Sequence, residues 1–224
     1  MLKNSAILYK EVLKMKNSSI LVVSLLAFLF AVCPIHAYVY YVEAEKYDPD
    51  KSILAAGGGV WSEKKDKAVF VFSDTYMEYS GPHVGANTSL IYPIPTVGET
   101  AGQWKVWVRC LMPDTGSDSY FFYISNDGGK TWGPQQAAGG NGQGPDWKWE
   151  NWVLNTQLKK GSGNVLRIAE RETARADVVC VRDDGQNSTD EDCAQWFKEN
   201  KGGQPKIAVQ PFRKLSTIWG QLKK

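Results

Sequence analysis

The chain has 224 residues, with 26 Lys or Arg, 24 Asp or Glu and two His, for a formal net charge of +2. Residues 1–37 hold four of the lysines and one of the glutamates, so the remainder carries 22 basic and 23 acidic side chains, a net charge of −1. No basic stripe is left to act as a phosphate footprint, which argues against nucleic acid as a partner.

Lys14 and Lys16 precede an apolar run from Ile20 to Val32 that only Ser24 interrupts. A basic start, a short apolar core and Ala37 after it describe a secretory signal peptide over 1–37. The run is too short for a comfortable membrane span. Val32 before Cys33 is bulky where a lipobox wants a small residue. The expectation is a secreted or periplasmic protein with no transmembrane segment after cleavage. A single β domain over 38–185 and a tail over 186–224 fit the remaining length.

Val39 to Glu45 reads as the first strand, with Tyr41, Glu43 and Glu45 on one face. Lys46 to Lys67 reads as irregular, and Trp61 follows Gly57-Gly58-Gly59 on what reads as a loop, either packed or free to stack on a ligand. Ala68 to Phe72 is apolar on both faces, a buried strand. Tyr76 to Tyr79 and Ser89 to Ile94 follow as strands. Gln103 to Met112 alternates: Trp104, Val106, Val108 and Cys110 make a core face, and Lys105, Trp107 and Arg109 an outer one. Trp107 is then either sandwiched between cationic stems or open to a sugar.

Ser119 to Ser125 is a strand that runs into Asn126-Asp127-Gly128-Gly129, a hairpin turn. Ser125 to Trp132 resembles the Asp-box of sialidases and related propellers. It occurs once, in a chain too short for several blades, so it reads as a structural hairpin. Ala137 to Asp146 is a Gly-rich loop without the strand-to-helix context of a phosphate loop.

Trp149 to Leu158, Asn164 to Arg171 and Ala176 to Arg182 read as three consecutive strands, punctuated by Gly, Ser and Asp. Trp149 and Trp152 fall on opposite faces, so at least one belongs to the core. Strands at roughly ten- to fifteen-residue spacing without a helical period give an all-β sandwich. Ser188-Thr189-Asp190-Glu191 has capping-box spacing and starts a short helix that ends near Asn200. Cys110, Cys180 and Cys193 are an odd set, so at least one is free or paired between chains. A Cys180–Cys193 bridge and simple burial are both open.

With Glu43-Ala44-Glu45 at one end and Ala176-Asp177-Val178-Val179 at the other, the chain resembles galactose-binding-like carbohydrate-binding modules of the family 6 and family 35 type. Leu158-Lys159-Lys160-Gly161 and Arg171-Glu172 match that pattern in order and spacing. The resemblance covers about residues 38–185 and implies a jelly-roll sandwich that binds a polysaccharide or glycan as a monomer. It also implies a structural calcium held by Glu43, Glu45 and Asp177, hard oxygen ligands of the kind that ion takes. The family's sugar sites use loop aromatics with planar polar groups. Trp61, Asp146, Trp147, Trp149, Asn151 and Trp152 have that chemistry here. Two other readings stand beside it: an adhesive module whose outer aromatics contact protein, and a glycosidase or lyase fragment. The latter needs paired carboxylates across a cleft. Glu150, Asp146, Glu170 and Glu172 are available, while His83 is alone in a loop and His36 leaves with the signal.

Overall fold

The computed structural model describes residues 37–66, 74–82, 85, 87–99, 102–114, 119–139 and 144–200. The signal peptide (all but Ala37), the strand expected over Ala68 to Phe72, His83 and the end of the tail lie outside the described residues. Eleven strands and one helix are described. They are β1 (Val39–Glu43), β2 (Ala55–Ala56), β3 (Gly59–Lys65), β4 (Thr75–Ser80), β5 (Ser89–Pro93), β6 (Lys105–Leu111), β7 (Ser119–Ser125), β8 (Gln136–Gly139), β9 (Lys148–Val153), β10 (Val165–Glu170), β11 (Arg175–Arg182) and α1 (Asp190–Glu199). Among the described residues no helix is long and apolar enough to cross a membrane.

The strands form two antiparallel sheets. The larger runs β2-β3-β4-β11-β6-β9, with β1 also on β11; the smaller runs β5-β10-β7-β8. Strand β11 is the axis of the larger sheet. One of its edges pairs with β6 along its length, and the other takes β1 from Val178 to Arg182 and β4 at Arg175 and Ala176. The register with β6 shifts between Ala176 and Val178, so Asp177 sits in a bulge. The three strands read as consecutive do not neighbour one another: β9 and β11 lie in the larger sheet and β10 in the smaller. Sequence neighbours that switch sheets are how a sandwich closes over one core.

Alternation decides what fills that core. Met77 and Tyr79 from β4, Val106, Val108 and Cys110 from β6, and Phe122 and Ile124 from β7 are all buried. Trp152 of β9 reaches across to Phe122 of the other sheet, ring centroids 5.3 Å apart. Polar hooks cross the core as well. The Tyr92 hydroxyl donates to the Ala44 carbonyl at 2.8 Å, and the Tyr120 hydroxyl donates to the Arg175 carbonyl at 2.7 Å.

Three sequence expectations need correction here. First, the Gly57–Gly59 segment is not a loose loop. Gly57 and Gly58 have φ of 60° and 85°, the left-handed pair that a two-residue hairpin turn demands, and they join β2 to β3. Gly59 is steric: a Cβ there would lie 2.0 Å from the Tyr79 hydroxyl. Second, β8 forms within the segment that reads as a Gly-rich loop, because Ala137 pairs with Phe121. Third, the outer face of β6 is buried too. Trp107 stands in register with Cys180 of β11, and Cys180 with Tyr41 of β1; all three are buried. Helix α1 is packed against β1 there: Trp196 lies 5.8 Å from Tyr41, and its indole N–H donates to the Val39 carbonyl at 3.1 Å. At 4% exposed, Trp107 is therefore no sugar platform.

The helix starts one residue later than its capping box suggests. Thr189 is the N-cap and accepts from the Asp192 amide at 3.1 Å, while Ser188 is buried and accepts from the Tyr41 hydroxyl. Its acidic first turn docks on two arginines of the sheet. Arg182 donates to Asp192 at 2.7 Å and forks onto Asp184, and Arg109 donates to Asp190 at 2.9 Å. Segment 186–200 is thus packed on the sandwich by side chains from β1, β6 and β11. The three cysteines are buried and free, without a Cys180–Cys193 bridge. Burial pushes the Cys180 thiol up to about 12, and Cys110 and Cys193 further.

Candidate functional site

The six residues with sugar-site chemistry do not converge on one surface. Trp61 is 2% exposed and packs against Tyr79, with ring centroids 5.6 Å apart. In that position its ring has no face to offer a ligand; alternation along β3 turns it into the core. Trp152 is spent between the sheets. Trp149 lies on the opposite face, edge-on to Tyr41 at 5.7 Å, and its indole N–H donates to Asp190 at 2.8 Å, at the first turn of α1. Each of the two is therefore engaged in packing, one on each face of β9. Asn151 is exposed on β9, in register with the buried Trp107.

Asp146 and Trp147 remain. They immediately precede β9; Asp146 is exposed and Trp147 half-buried. The Trp147 ring stands edge-on to Tyr76 of β4, centroids 5.2 Å apart at 68°. The Arg109 guanidinium carbon lies over the ring, 5.8 Å from its centroid. Nearby on the same face of β4, Glu78 accepts from Arg175 of β11 at 2.5 Å. The result is a half-open indole held by a second ring and a cation, flanked by carboxylates and a guanidinium. Such a surface can stack the apolar C–H face of a ring and bond its hydroxyls. Tyr76 was not among the residues singled out from sequence. Its signal was there in the alternation of β4, where Tyr76 and Glu78 occupy the face opposite the buried Met77 and Tyr79.

The implied calcium fails a test of fit. Asp177 directs Oδ2 at Arg109 Nη1, 2.8 Å away, and its backbone oxygen accepts from the Ala44 amide. Glu45 lies past the end of β1, its carboxylate 3.7 Å from Lys46 Nζ. It also contributes, after burial, to holding the buried Tyr92 hydroxyl neutral. Glu43 stands in register with Val178. Among the described residues no group of three His, Cys, Asp or Glu is arranged to hold a metal. As arranged, Glu43, Glu45 and Asp177 do not make a calcium site.

Two of the carboxylates available for hydrolytic chemistry, Glu170 and Glu172, are committed to structure. Glu170 is fully buried and accepts from the Asn87 and Thr88 amides and the Thr88 hydroxyl, which ties down that loop. Glu172 accepts from the Ser119 hydroxyl. Burial raises the Glu150 carboxyl, opposed by Lys148. The Asp-box hairpin is likewise a structural knot. Asp127 Oδ2 takes the Thr131 hydroxyl at 2.5 Å, and Oδ1 takes the amides of Lys130 and Thr131, both at 3.0 Å. Those bonds, the Thr131 hydroxyl's first, hold its carboxyl well below the usual carboxylate range.

No protein-family model matches the chain, and no curated protein does. Among solved structures, it is similar to the C-terminal family 6 carbohydrate-binding module of a marine laminarinase from Zobellia galactanivorans. That match has 11% identity over 64% of this chain and 98% of the module, with a TM-score of 0.41. It is similar to a family 35 carbohydrate-binding module from Clostridium thermocellum at 18% identity, over 63% of this chain and 96% of the module, with a TM-score of 0.40. An exo-β-1,3-galactanase from Phanerochaete chrysosporium matches at 17% identity over 64% of this chain, with a TM-score of 0.42; the match spans 29% of the galactanase. At these identities and TM-scores the functional reading has to rest on the placement of this chain's own residues.

Proposed function

We propose that the chain binds carbohydrate without turning it over, as a monomer outside the cytoplasm. The surface formed by Trp147, Tyr76 and Asp146 is the site. The observation that supports it is the half-buried Trp147 indole, fixed by Tyr76 and Arg109 beside an exposed carboxylate. A pyranose presents an apolar C–H face that stacks on such a ring. Its hydroxyls donate to Asp146 and Glu78 and accept from Arg175. A pre-ordered ring loses little entropy when it binds. Affinity electrophoresis through gels containing single polysaccharides tests this. Wild-type migration is retarded by at least one of them, and Trp147→Ala abolishes the retardation.

A second reading has one observation in its favour. On the outer face of the smaller sheet, the Arg167 guanidinium lies 4.8 Å from the Tyr123 ring centroid and 5.9 Å from that of Trp132. An aromatic–arginine face of this kind suits an adhesive contact with protein. A wild type that no polysaccharide retards, but that binds immobilised protein until Tyr123→Ala is introduced, would favour this reading.

A further inference from the structure

We infer that Arg109 is the internal cation of this sandwich. It clamps β6, β11 and α1 where the family resemblance places calcium, and it positions Trp147. The last clause rests on the carbohydrate reading; the first does not.

The geometry is that of a buried hub. Arg109 is 5% exposed and Asp177 2%. Nη1 donates to Asp177 at 2.8 Å, while Nε and Nη2 fork onto the two oxygens of Asp190 at 2.9 and 3.3 Å. A planar guanidinium suits this division of donors, which a point-like ammonium cannot reproduce. Two carboxylates against one cation leave an excess negative charge. Asp190 meets it with the indole N–H of Trp149 at 2.8 Å and with its place in the first turn of α1, at the positive end of the helix. Asp177 reaches the end of β1 through its backbone oxygen, which accepts from the Ala44 amide at 2.8 Å. The first and last strands are thus joined at Asp177 without a metal. A calcium ion needs six to eight oxygens at roughly 2.3–2.6 Å, and here Asp177 Oδ2 is turned to the guanidinium instead. The same guanidinium carbon lies over the Trp147 ring at 5.8 Å, so the group that closes the sandwich also backs the indole.

The test compares melting temperature in EDTA and in millimolar CaCl2 for the wild type, Arg109→Lys, Arg109→Met and Arg182→Lys, with glycan retention measured below each melting temperature. Arg182 anchors α1 through Asp192 and touches neither Trp147 nor Asp177 in the bonds above, so its variant controls for helix docking alone. The wild type should melt at the same temperature in both buffers. Arg109→Met should fall by on the order of 10 °C, since it strands a buried carboxylate. Arg109→Lys should melt between the two and lose retention severalfold; Arg182→Lys should lose stability and keep retention. A wild-type melting temperature that climbs by several degrees in CaCl2 would overturn the internal-cation claim. Equal loss of retention in Arg109→Lys and Arg182→Lys would overturn the positioning claim. If Arg109→Met fails to fold, the wild-type buffer comparison and Arg109→Lys still decide. Absence of any glycan binding in the wild type sinks the carbohydrate reading and the positioning claim with it, but not the internal-cation claim, because the calcium comparison needs no ligand.

Discussion

Replacing Trp61 separates core from ligand surface, the ambiguity that the nine tryptophans of this chain raise. The indole is 2% exposed, against Tyr79. A buried aromatic side chain removes about 150–250 Å² from water, worth roughly 4–6 kcal/mol at about 25 cal/mol/Å². Measured Trp→Ala losses in cores run to about 3–5 kcal/mol. One contribution opposes this. The Trp61 indole N–H is buried with no hydrogen-bond partner among the described residues, so its removal returns a desolvation cost of about 1–3 kcal/mol. The net for Trp61→Ala is a loss of roughly 2–4 kcal/mol, or a fall in melting temperature of roughly 5–15 °C for a domain of this size. Trp61→Phe keeps most of the ring and deletes the orphaned donor, so it should stay within about 1 kcal/mol of wild type. Differential scanning calorimetry reads both, and glycan retention of Trp61→Phe should match wild type. A Trp61→Ala protein that melts within two degrees of wild type, yet loses glycan, would refute the core assignment.

Alkaline pH should destabilise the protein through its thiols. The buried Cys180 thiol is raised from an ordinary value near 9 to about 12. Its contribution is therefore whole below pH 9 and is lost as pH rises through that window, while the unfolded thiol ionises freely. Melting temperature should fall above pH 9, and Cys180→Ala should flatten that slope, leaving part to Cys110 and the buried tyrosines. Glu170→Gln trades a carboxylate acceptor for a neutral amide on the 87–88 loop. Charge-assisted bonds of this kind are worth about 1.5–3 kcal/mol, so urea unfolding should show a loss of that order, with an unchanged slope against urea concentration. A loss under half a kilocalorie would mean those amides are bonded otherwise.

Most of the sandwich was legible because strands repeat with period two and because glycines and prolines punctuate them. Strands β5, β6, β7, β10 and β11 fall within a residue or two of where alternation puts them. Which strands pair was not legible, since register is a tertiary property: β9, β10 and β11 look like a meander and are divided between two sheets. The β2–β3 hairpin is masked by the third glycine, which makes Gly57–Gly59 read as a loose loop, although Gly-Gly is itself a hairpin signal. The outer face of β6 was misread for a different reason. Alternation says that Trp107 and Arg109 point away from the intersheet core, and they do. It does not say that a polar-looking segment beginning at Gln186, far past the end of β6 at Leu111, returns to cover them. The roles of the aromatic candidates were less legible. Asp146 and Trp147 are left at the surface ahead of β9, but Trp61, Trp149 and Trp152 have the same chemistry and are used for packing. Residue type cannot separate these roles; what each ring packs against does.

The central claim is that Trp147, on its Tyr76 and Arg109 support, is the ring that meets sugar. Affinity electrophoresis of the wild type, Trp147→Ala, Tyr76→Ala and Trp61→Phe, each checked for folding by circular dichroism, tests it most directly. The predicted result is retardation of the wild type and Trp61→Phe by the same polysaccharide. Trp147→Ala should weaken binding roughly thirtyfold, the equivalent of a 2 kcal/mol anchor, with a smaller loss in Tyr76→Ala. Folded Trp147→Ala that is retarded as strongly as wild type would contradict it.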